Sequence, residues 1–239
     1  MDGREFDPEV REEMDVEQPV SPELERDLDN LATLNRVFGS HALVLDFLRA
    51  RLDAPEASTS FPARPWRLLD LATASGDIPR RIAAWAGSAG IAVEIDAVDF
   101  QRSTLEIARR RTADFPNIRY HEGDIRTFGA GQKWDIVLCS LALHHFSNDD
   151  AACVLRHIAS RATRHVLVSD LRRCAAGTLG VDLLTAVWMR EPMTRNDARM
   201  SVRRAFSFDE LSALARAAGW KNFHHARKFC FRQVIWMDR

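Results

Sequence analysis

The stretch LLDLATASGD, residues 68–77, joins an apolar run to an acid and then to three small residues at alternate positions. Its pattern is D-x-A-x-A-x-G, whereas a dinucleotide fingerprint requires G-x-G-x-x-G and a P-loop requires a lysine. Small residues allow the backbone to pass close to a ligand, and free amides at the start of the next helix can bind a carboxylate. The loop therefore predicts a ligand that carries a carboxylate and no phosphate.

Two further acids follow at the ends of the next predicted strands. Asp99 comes 23 residues after Gly76, where a carboxylate faces ribose hydroxyls in a βαβ unit, and Phe100 beside it is placed to cover an adenine. Asp124 is placed to accept from the adenine amine, with Ile125 packing on the ring. Each acid alone also fits an ordinary helix cap. Together they predict a site for S-adenosylmethionine.

A parallel sheet would bring these residues together. From residue 66 onward, apolar runs such as WRLLDLA, AVEIDAVDF and WDIVLCSLA alternate with helical patterns. This alternation predicts an α/β fold, a Rossmann-like doubly wound, mostly parallel sheet. Ligands bind such sheets at the carboxyl ends of the strands, where the sequence places Asp70, Asp99, Asp124, Ser140 and Asp170. The last two runs, KNFHHARKF and FRQVIWM, predict an antiparallel hairpin at the C-terminal edge.

The chain divides by composition into a leader, a helical segment and the predicted domain. Residues 1–20 are expected to be an acidic, partly disordered leader, residues 21–60 an N-terminal helical lid with a linker, and residues 61–239 the ligand-binding domain. Residues 171–204 are not used by the predicted sheet and are expected to form a lid or substrate insertion. Residues 1–29 carry 12 Asp or Glu and 3 Arg, a balance of -9, and subtracting this from the total of -1 leaves +8 elsewhere. That excess of arginine fits either a solvated surface or a mouth for an anionic substrate.

Overall composition favours a soluble, intracellular protein. The 239 residues are 46% hydrophobic, which suffices for a large core, and no apolar run approaches the roughly 18 residues of a membrane span. The four cysteines form no CxxC or CxxH pair, so the sequence predicts neither disulfides nor a metal site. We expect a cytoplasmic protein with a small-molecule partner and no nucleic acid, present as a monomer or homodimer.

Over residues 66–172 the sequence resembles the class I S-adenosylmethionine-dependent methyltransferases. LLDLATASGD is most similar to the branch that includes ubiquinone and menaquinone C-methyltransferases, the type 11-like enzymes, whose motif runs D-L-A-G-G-T-G-D. WDIVLCSLALHHF is similar to the family's fourth-strand motif. The resemblance implies S-adenosylmethionine as cofactor and S-adenosylhomocysteine as product. It also implies that the methionine part of the cofactor is surrounded by Asp70, Ala72, Thr73, Ala74 and Gly76. Near the methyl group it implies Ser140 and Leu141.

The acceptor side is expected to follow the fourth strand. His145 and His144 lie there, and either one is placed to take a proton from a phenolic acceptor, although a structural hydrogen bond explains each equally well. We expect methyl transfer to an oxygen, or a carbon, of a phenolic, quinone-like or polyketide-like compound that is aromatic or anionic. Two alternatives remain at this point, a catalytically silent cofactor-binding protein and an RNA methyltransferase.

Overall fold

The computed structural model describes residues 3–52, 64–178, 180–181 and 192–239. The strands are β1 Trp66–Leu71, β2 Val93–Asp99, β3 Ile118–Glu122, β4 Trp134–Ser140, β5 Ala162–Leu171, β6 His224–Lys228 and β7 Arg232–Asp238. The helices used below are α1 Pro22–Val37, α2 Ser40–Leu52, α3 Asp77–Ser88, α4 Arg102–Arg111, α5 Asn148–Arg161, α6 Pro192–Arg204 and α7 Phe208–Ala217. Short 3-10 turns occupy Glu13–Asp15 and Leu143–His145.

The strands form one seven-stranded sheet in the order β3-β2-β1-β4-β5-β7-β6. β1 to β5 pair in parallel, whereas β7 is antiparallel to both β5 and β6. The predicted Rossmann-like, doubly wound sheet with an antiparallel C-terminal edge is therefore confirmed. Strand order reverses between β1 and β4, and ligands of open α/β sheets bind at such a switch point.

Both faces of the sheet are buried, as the nearly continuous apolar composition of β1 requires. Leu69 and Leu71 point into a core shared with α5 and α7, while Trp66 and Leu68 point into the opposite core with α2 and α3. Alternate side chains of one strand thus serve opposite layers. This packing fixes the direction of β1 and the position of the loop that follows it.

Serine caps begin several of the helices. Ser21 accepts from the amide of Leu24 at the start of α1, and Ser147 accepts from Asp150 at the start of α5. Ser207 and Glu210 form the reciprocal capping box predicted for α7. Each pair satisfies amides that the helix itself leaves without partners.

The first 52 residues contain the predicted leader and the predicted N-terminal helices. Val44 and Leu48 of α2 belong to the same core as Leu68 of β1, so this helix packs against the sheet. The leader has little regular structure, yet Glu12 is only 4% exposed. The linker from 53 to 63 and residues 182–191 of the predicted insertion lie outside the described residues. Among the helices that are described, none combines the length and apolar character needed to cross a membrane.

Candidate functional site

A cavity of about 900 Å³ opens at the carboxyl ends of β1, β2 and β4. It is lined by the loop after β1, by the residues that follow β2 and β4, by the leader and by α6. Most of the predicted site residues are on its wall, namely Ala72, Thr73, Ala74, Asp99, Phe100, Asp124, Ile125, Ser140, Leu141, His144 and His145. The volume falls in the range of small-molecule sites.

The loop after β1 turns sharply between this strand and α3. Three of its residues have positive φ, at 60° for Ala72, 47° for Ala74 and 70° for Gly76. Glycine adopts this region without strain, whereas alanine does so only at a cost. The amide of Thr73 donates to the carbonyl of Val98 at 2.9 Å, which ties the loop to β2.

Asp99 at the end of β2 holds the same loop from the other side. Its Oδ2 accepts from the amide of Ala74 at 2.8 Å and its Oδ1 from the amide of Gln101 at 3.2 Å. Burial raises the pKa of the Asp99 carboxyl, while these amides act in the opposite direction. Phe100 beside it is 54% exposed and lies on the cavity wall, free to cover a flat ligand. Asp99 therefore orders the loop and faces the cavity at the same time.

Asp124 is held by an arginine two residues away. The guanidinium of Arg126 donates to Asp124 from Nε at 2.9 Å, and this pairing lowers the pKa of the Asp124 carboxyl. The neighbouring Ile125 is 6% exposed and joins the core beneath the cavity. The Asp124 carboxylate could accept from an adenine amine as predicted, but it also accepts from Arg126.

The end of β4 supplies a polar group without a partner. Leu141 has a φ of 56°, and its amide donates to the carbonyl of Ser169 at 2.7 Å. The buried Oγ of Ser140 has no hydrogen-bond partner within the described part of the chain and lies on the cavity wall. A buried hydroxyl in this state is costly unless a ligand completes it. The site therefore fits S-adenosylmethionine, whose methionine and ribose parts carry polar groups.

Two predicted residues do not reach the cavity wall. Asp70 is 1% exposed beneath the loop, and burial raises the pKa of its carboxyl to about 7. Gly76 lies at the start of α3, where an added Cβ would come within 2.0 Å of the Tyr120 hydroxyl oxygen. Both shape the loop from behind, and a direct role in binding the cofactor stays a prediction for each.

His144 pairs with an acid on the neighbouring strand. Its Nδ1 lies 2.7 Å from Oδ1 of Asp170, and its backbone amide donates to Oδ2 of the same carboxylate at 3.1 Å. Burial raises the pKa of Asp170, but the charge and hydrogen bond of His144 outweigh it, so the net shift is downward. The sequence places Asp170 at a strand end without a role. Its partner follows from the sheet, because β4 and β5 are neighbours in parallel register.

His145 pairs with the leader. Its Nδ1 lies 2.8 Å from Oδ2 of Asp15 and 4.0 Å from Oε1 of Glu12. Burial lowers the pKa of the imidazole, but the hydrogen bond to Asp15 and the charge of Glu12 raise it to about 9. Neither acid was predicted as a site residue. No local sequence signal indicates them, since each reaches the site from a segment without periodicity.

The leader is fastened across the cavity by contacts along its length. Arg4 donates to the carbonyls of His144 and Phe146 at 2.9 and 2.7 Å, and its guanidinium stacks 3.9 Å from the centre of the Phe206 ring. Asp197 of α6 accepts from the amides of Glu13 and Met14, while Gln101 donates to the carbonyl of Met14. A ligand in the cavity is therefore covered by residues 4–15.

Carboxylates outnumber guanidinium groups on the cavity wall. Eight acids line it, Asp7, Glu12, Asp15, Asp77, Asp99, Asp124, Asp150 and Asp197, against four arginines, Arg11, Arg126, Arg204 and Arg232. A concave surface with an excess of one charge attracts ligands of the opposite sign. This distribution favours a cationic ligand, and the sulfonium of S-adenosylmethionine is one.

Comparisons with known proteins agree with this geometry. The family model described as a methyltransferase domain matches residues 68–165. Among solved structures that share the fold, a Nostoc punctiforme PCC 73102 protein provisionally assigned as an O-methyltransferase is 18% identical, with a TM-score of 0.63, and the match covers 93% of this chain and 62% of that one. Magnesium protoporphyrin IX methyltransferase from Synechocystis PCC 6803 with bound S-adenosylhomocysteine is 14% identical, with a TM-score of 0.58, and the match covers 94% of this chain and 90% of that one. Plantazolicin methyltransferase BpumL in complex with S-adenosylhomocysteine is 10% identical, with a TM-score of 0.65, and the match covers 90% of this chain and 89% of that one. A search of curated proteins gives no significant match.

Identities of this size establish the fold, and the family match establishes the domain over residues 68–165. Two of the three structures were solved with S-adenosylhomocysteine, the product form of the cofactor predicted from the sequence. Residues 68–165 therefore match a methyltransferase domain, in agreement with the resemblance of the sequence.

Proposed function

We propose that the protein transfers a methyl group from S-adenosylmethionine to an oxygen, or a carbon, of a small phenolic, quinone-like or polyketide-like acceptor. The observation that carries this proposal is the continuity of the cavity. One wall holds Ala72, Thr73, Ala74 and Asp99, and the same cavity extends to His144 and His145. Donor and acceptor sites thus adjoin, and methyl transfer is an in-line displacement that depends mainly on holding the two together.

The donor would lie along the carboxyl ends of the strands. Amides of the loop that begins at Ala72 would face the methionine carboxylate, Asp99 the ribose hydroxyls, and Asp124 with Ile125 the adenine. Ser140 and Leu141 would line the region of the methyl group. The bound cofactor supplies the activated methyl; these residues supply its orientation.

The acceptor would enter at the histidine end of the cavity. A phenol has a pKa near 10, so a group that accepts its proton assists attack on the methyl. His144 is the better placed of the two imidazoles. Asp170 orients its ring through Nδ1, whereas, despite burial, Asp15 and Glu12 raise the pKa of His145 to about 9, so His145 already carries a second proton at neutral pH. His145 would then act by contact with the acceptor and not as the proton acceptor.

The charge of the cavity bears on the class of acceptor. Because acids outnumber arginines on its wall, a neutral aromatic compound is favoured over an anionic one. The names of the similar enzymes, which refer to magnesium protoporphyrin IX and plantazolicin, support a small-molecule acceptor in general. They do not select among phenols, quinones and polyketides.

The proposal is tested first at the cofactor. In isothermal titration, wild-type protein should bind S-adenosylmethionine and S-adenosylhomocysteine with micromolar affinity, and Asp99→Asn should lose at least tenfold in each. Glu94→Gln is the matched control, since Glu94 lies on the same strand and pairs with Arg119 away from the cavity. Equal affinity in the Asp99 variant would overturn the placement of the ribose.

The acceptor is then found with a panel of phenols and quinols, and methyl transfer is followed by mass spectrometry. One observation favours a second candidate, a cofactor-binding protein without catalysis: Ala72 and Ala74 occupy positive-φ positions where glycine is unstrained. Tight cofactor binding without turnover on any acceptor would support that candidate. Turnover on one acceptor removes it.

A further inference from the structure

Three side chains that could bind a metal meet at the acceptor end of the cavity. Glu12, His144 and His145 each offer one ligand atom, and these atoms lie within 4.8 Å of one another. Glu12 is 4% and His144 3% exposed, so this group differs from the clusters of charged side chains that are common on protein surfaces. It joins the leader to the 3-10 turn after β4.

Each imidazole of this group is already held by a carboxylate outside it. Nδ1 of His144 lies 2.7 Å from Asp170, and Nδ1 of His145 lies 2.8 Å from Asp15. An ionised carboxylate can only accept, so Nδ1 carries a proton in both rings, and Nε2 is the nitrogen left to bind a metal, with release of any proton that it carries. Imidazoles that bind metals are oriented in this way, by a carboxylate on the opposite nitrogen.

Glu12 is a buried acid that shares a hydrogen bond with one hydroxyl and faces one imidazole. Its two oxygens accept from the Ser201 hydroxyl, each at 2.9 Å, and His145 Nδ1 is 4.0 Å away. A buried carboxylate is costly unless it is paired or coordinates a cation. With Asp15 and Asp170 beside it, the cluster holds three carboxylates around two imidazoles.

We propose that Glu12, His144 and His145 bind one divalent transition-metal ion of the zinc class. Two imidazoles and one carboxylate are ligands that suit zinc and leave a further position open toward the cavity. In a tetrahedral zinc site, ligand atoms are about 3.4 Å apart, so the three side chains would close in by about 1 Å. Sequence spacing predicts no such site, because its ligands come from segments far apart in the chain.

The metal site deepens the proposed function. It rests on that function only for the statement that the open coordination position faces the methyl acceptor. A cation there would lower the pKa of an acceptor hydroxyl, the task otherwise given to the His144 imidazole. The two roles of His144 exclude each other, because one Nε2 lone pair cannot bind both a proton and a metal. Metal content therefore decides which of them applies.

The test is metal binding by the tag-free, full-length protein after treatment with a chelator. Wild type should take up one equivalent of Zn²⁺ by equilibrium dialysis and elemental analysis, with micromolar or tighter affinity, and Co²⁺ should give a visible absorption band on binding. Glu12→Gln and His144→Ala should each weaken Zn²⁺ binding at least tenfold. Asp170→Asn should weaken it by 10- to 100-fold, the usual range for outer partners of metal ligands.

His157→Ala is the control, since His157 bonds to the carbonyl of Phe128 away from the cluster and should bind Zn²⁺ as wild type does. Circular dichroism establishes that each variant is folded. Absence of stoichiometric binding to wild type, or equal binding by folded Glu12 and His144 variants, would overturn the proposal. Affinity for S-adenosylmethionine is measured on the same samples. If wild-type protein binds the cofactor but no metal, only the metal site is refuted. If wild-type protein does not bind the cofactor, the proposed function is refuted.

Discussion

The backbone of Gly76 passes so close to Tyr120 that a Cβ added to the glycine would come within 2.0 Å of the tyrosine hydroxyl oxygen. That hydroxyl is not free to move, because it shares a hydrogen bond of 2.8 Å with Oγ1 of Thr112. Gly76 also has a φ of 70°, which disfavours any side chain. The turn before α3 thus needs glycine for two independent reasons.

These two reasons separate in a pair of variants. Gly90 has the same φ of 70° but open space where a Cβ would stand. Gly90→Ala should cost about 1 kcal/mol of unfolding free energy from backbone strain alone. Gly76→Ala should cost about 3 kcal/mol, because the clash with Tyr120 is added, and it should weaken cofactor binding more than tenfold. Urea unfolding and calorimetric titration measure both effects. Equal losses in the two variants would show that the contact with Tyr120 is unimportant.

At Ala74 the loop has alanine where the motif of the similar methyltransferases has glycine. Its φ of 47° is strained for alanine, while its amide already donates to Asp99. Ala74→Gly should release about 1 kcal/mol of backbone strain. If that strain is present only in the cofactor-bound loop, cofactor affinity should rise about fivefold; if it is the same in the free and the bound loop, affinity should not change. Titration with S-adenosylhomocysteine decides between these outcomes. Ala83→Gly within α3 is the control and should only destabilise, since Ala83 is an ordinary helical position. A marked loss of affinity in the Ala74 variant would mean that the loop adopts another conformation.

The sequence predicts the cavity floor well because its determinants are local. Alternating apolar runs define the strands, and an acid at each strand end then falls at one edge of the sheet. The pairing of His144 with Asp170 could be anticipated from the same logic, since Ser140 and Ser169 are partners in neighbouring strands. The cavity cover could not be predicted. Arg4, Glu12 and Asp15 lie in a segment without periodicity, and their partners are brought near only by the completed fold.

Asp70 should make stability fall as pH rises. Burial raises the pKa of its carboxyl from the ordinary 3.8 to about 7, so the folded state holds this proton more tightly than the unfolded state. The stability it contributes is full below pH 4 and is lost as pH rises toward 7. Asp70→Asn cannot ionise, so it should be more stable than wild type at pH 8, by about 2 to 4 kcal/mol, and nearly equal to it at pH 4.

Asp135 provides a control of opposite sign. Burial raises the pKa of its carboxyl, but the hydrogen bonds from Arg64 and from the amide of Arg67 outweigh this, and the net shift is downward. Its contribution to stability is therefore present at neutral pH and lost as pH falls below 4. Asp135→Asn should be less stable than wild type at pH 8. Unfolding in urea at several pH values checks both residues, and an Asp70 variant that gains nothing at high pH would contradict the assignment.

Arg4 should control the release of the product from beneath the leader. Its guanidinium joins the carbonyls of His144, Phe146 and Arg204, and it stacks on the ring of Phe206. Removing it detaches the start of the leader from the cavity mouth without touching the loop after β1 or Asp99. Arg4→Ala should therefore raise the dissociation rate of S-adenosylhomocysteine severalfold, because the cover opens more often. The effect on overall stability should be smaller than on this rate, since local opening requires less free energy than global unfolding.

Stopped-flow dissociation of S-adenosylhomocysteine, chased with excess S-adenosylmethionine, measures this rate. Arg26→Ala is the matched control, because Arg26 forms an exposed pair with Glu23 on α1, away from the cavity, and should leave the rate unchanged. Arg4→Lys keeps the charge but loses the planar group that reaches several carbonyls and stacks on an aromatic ring, so it should resemble Arg4→Ala more than wild type. If dissociation is as slow in both Arg4 variants as in wild type, the leader does not limit release, and the product leaves by a route that the leader does not cover.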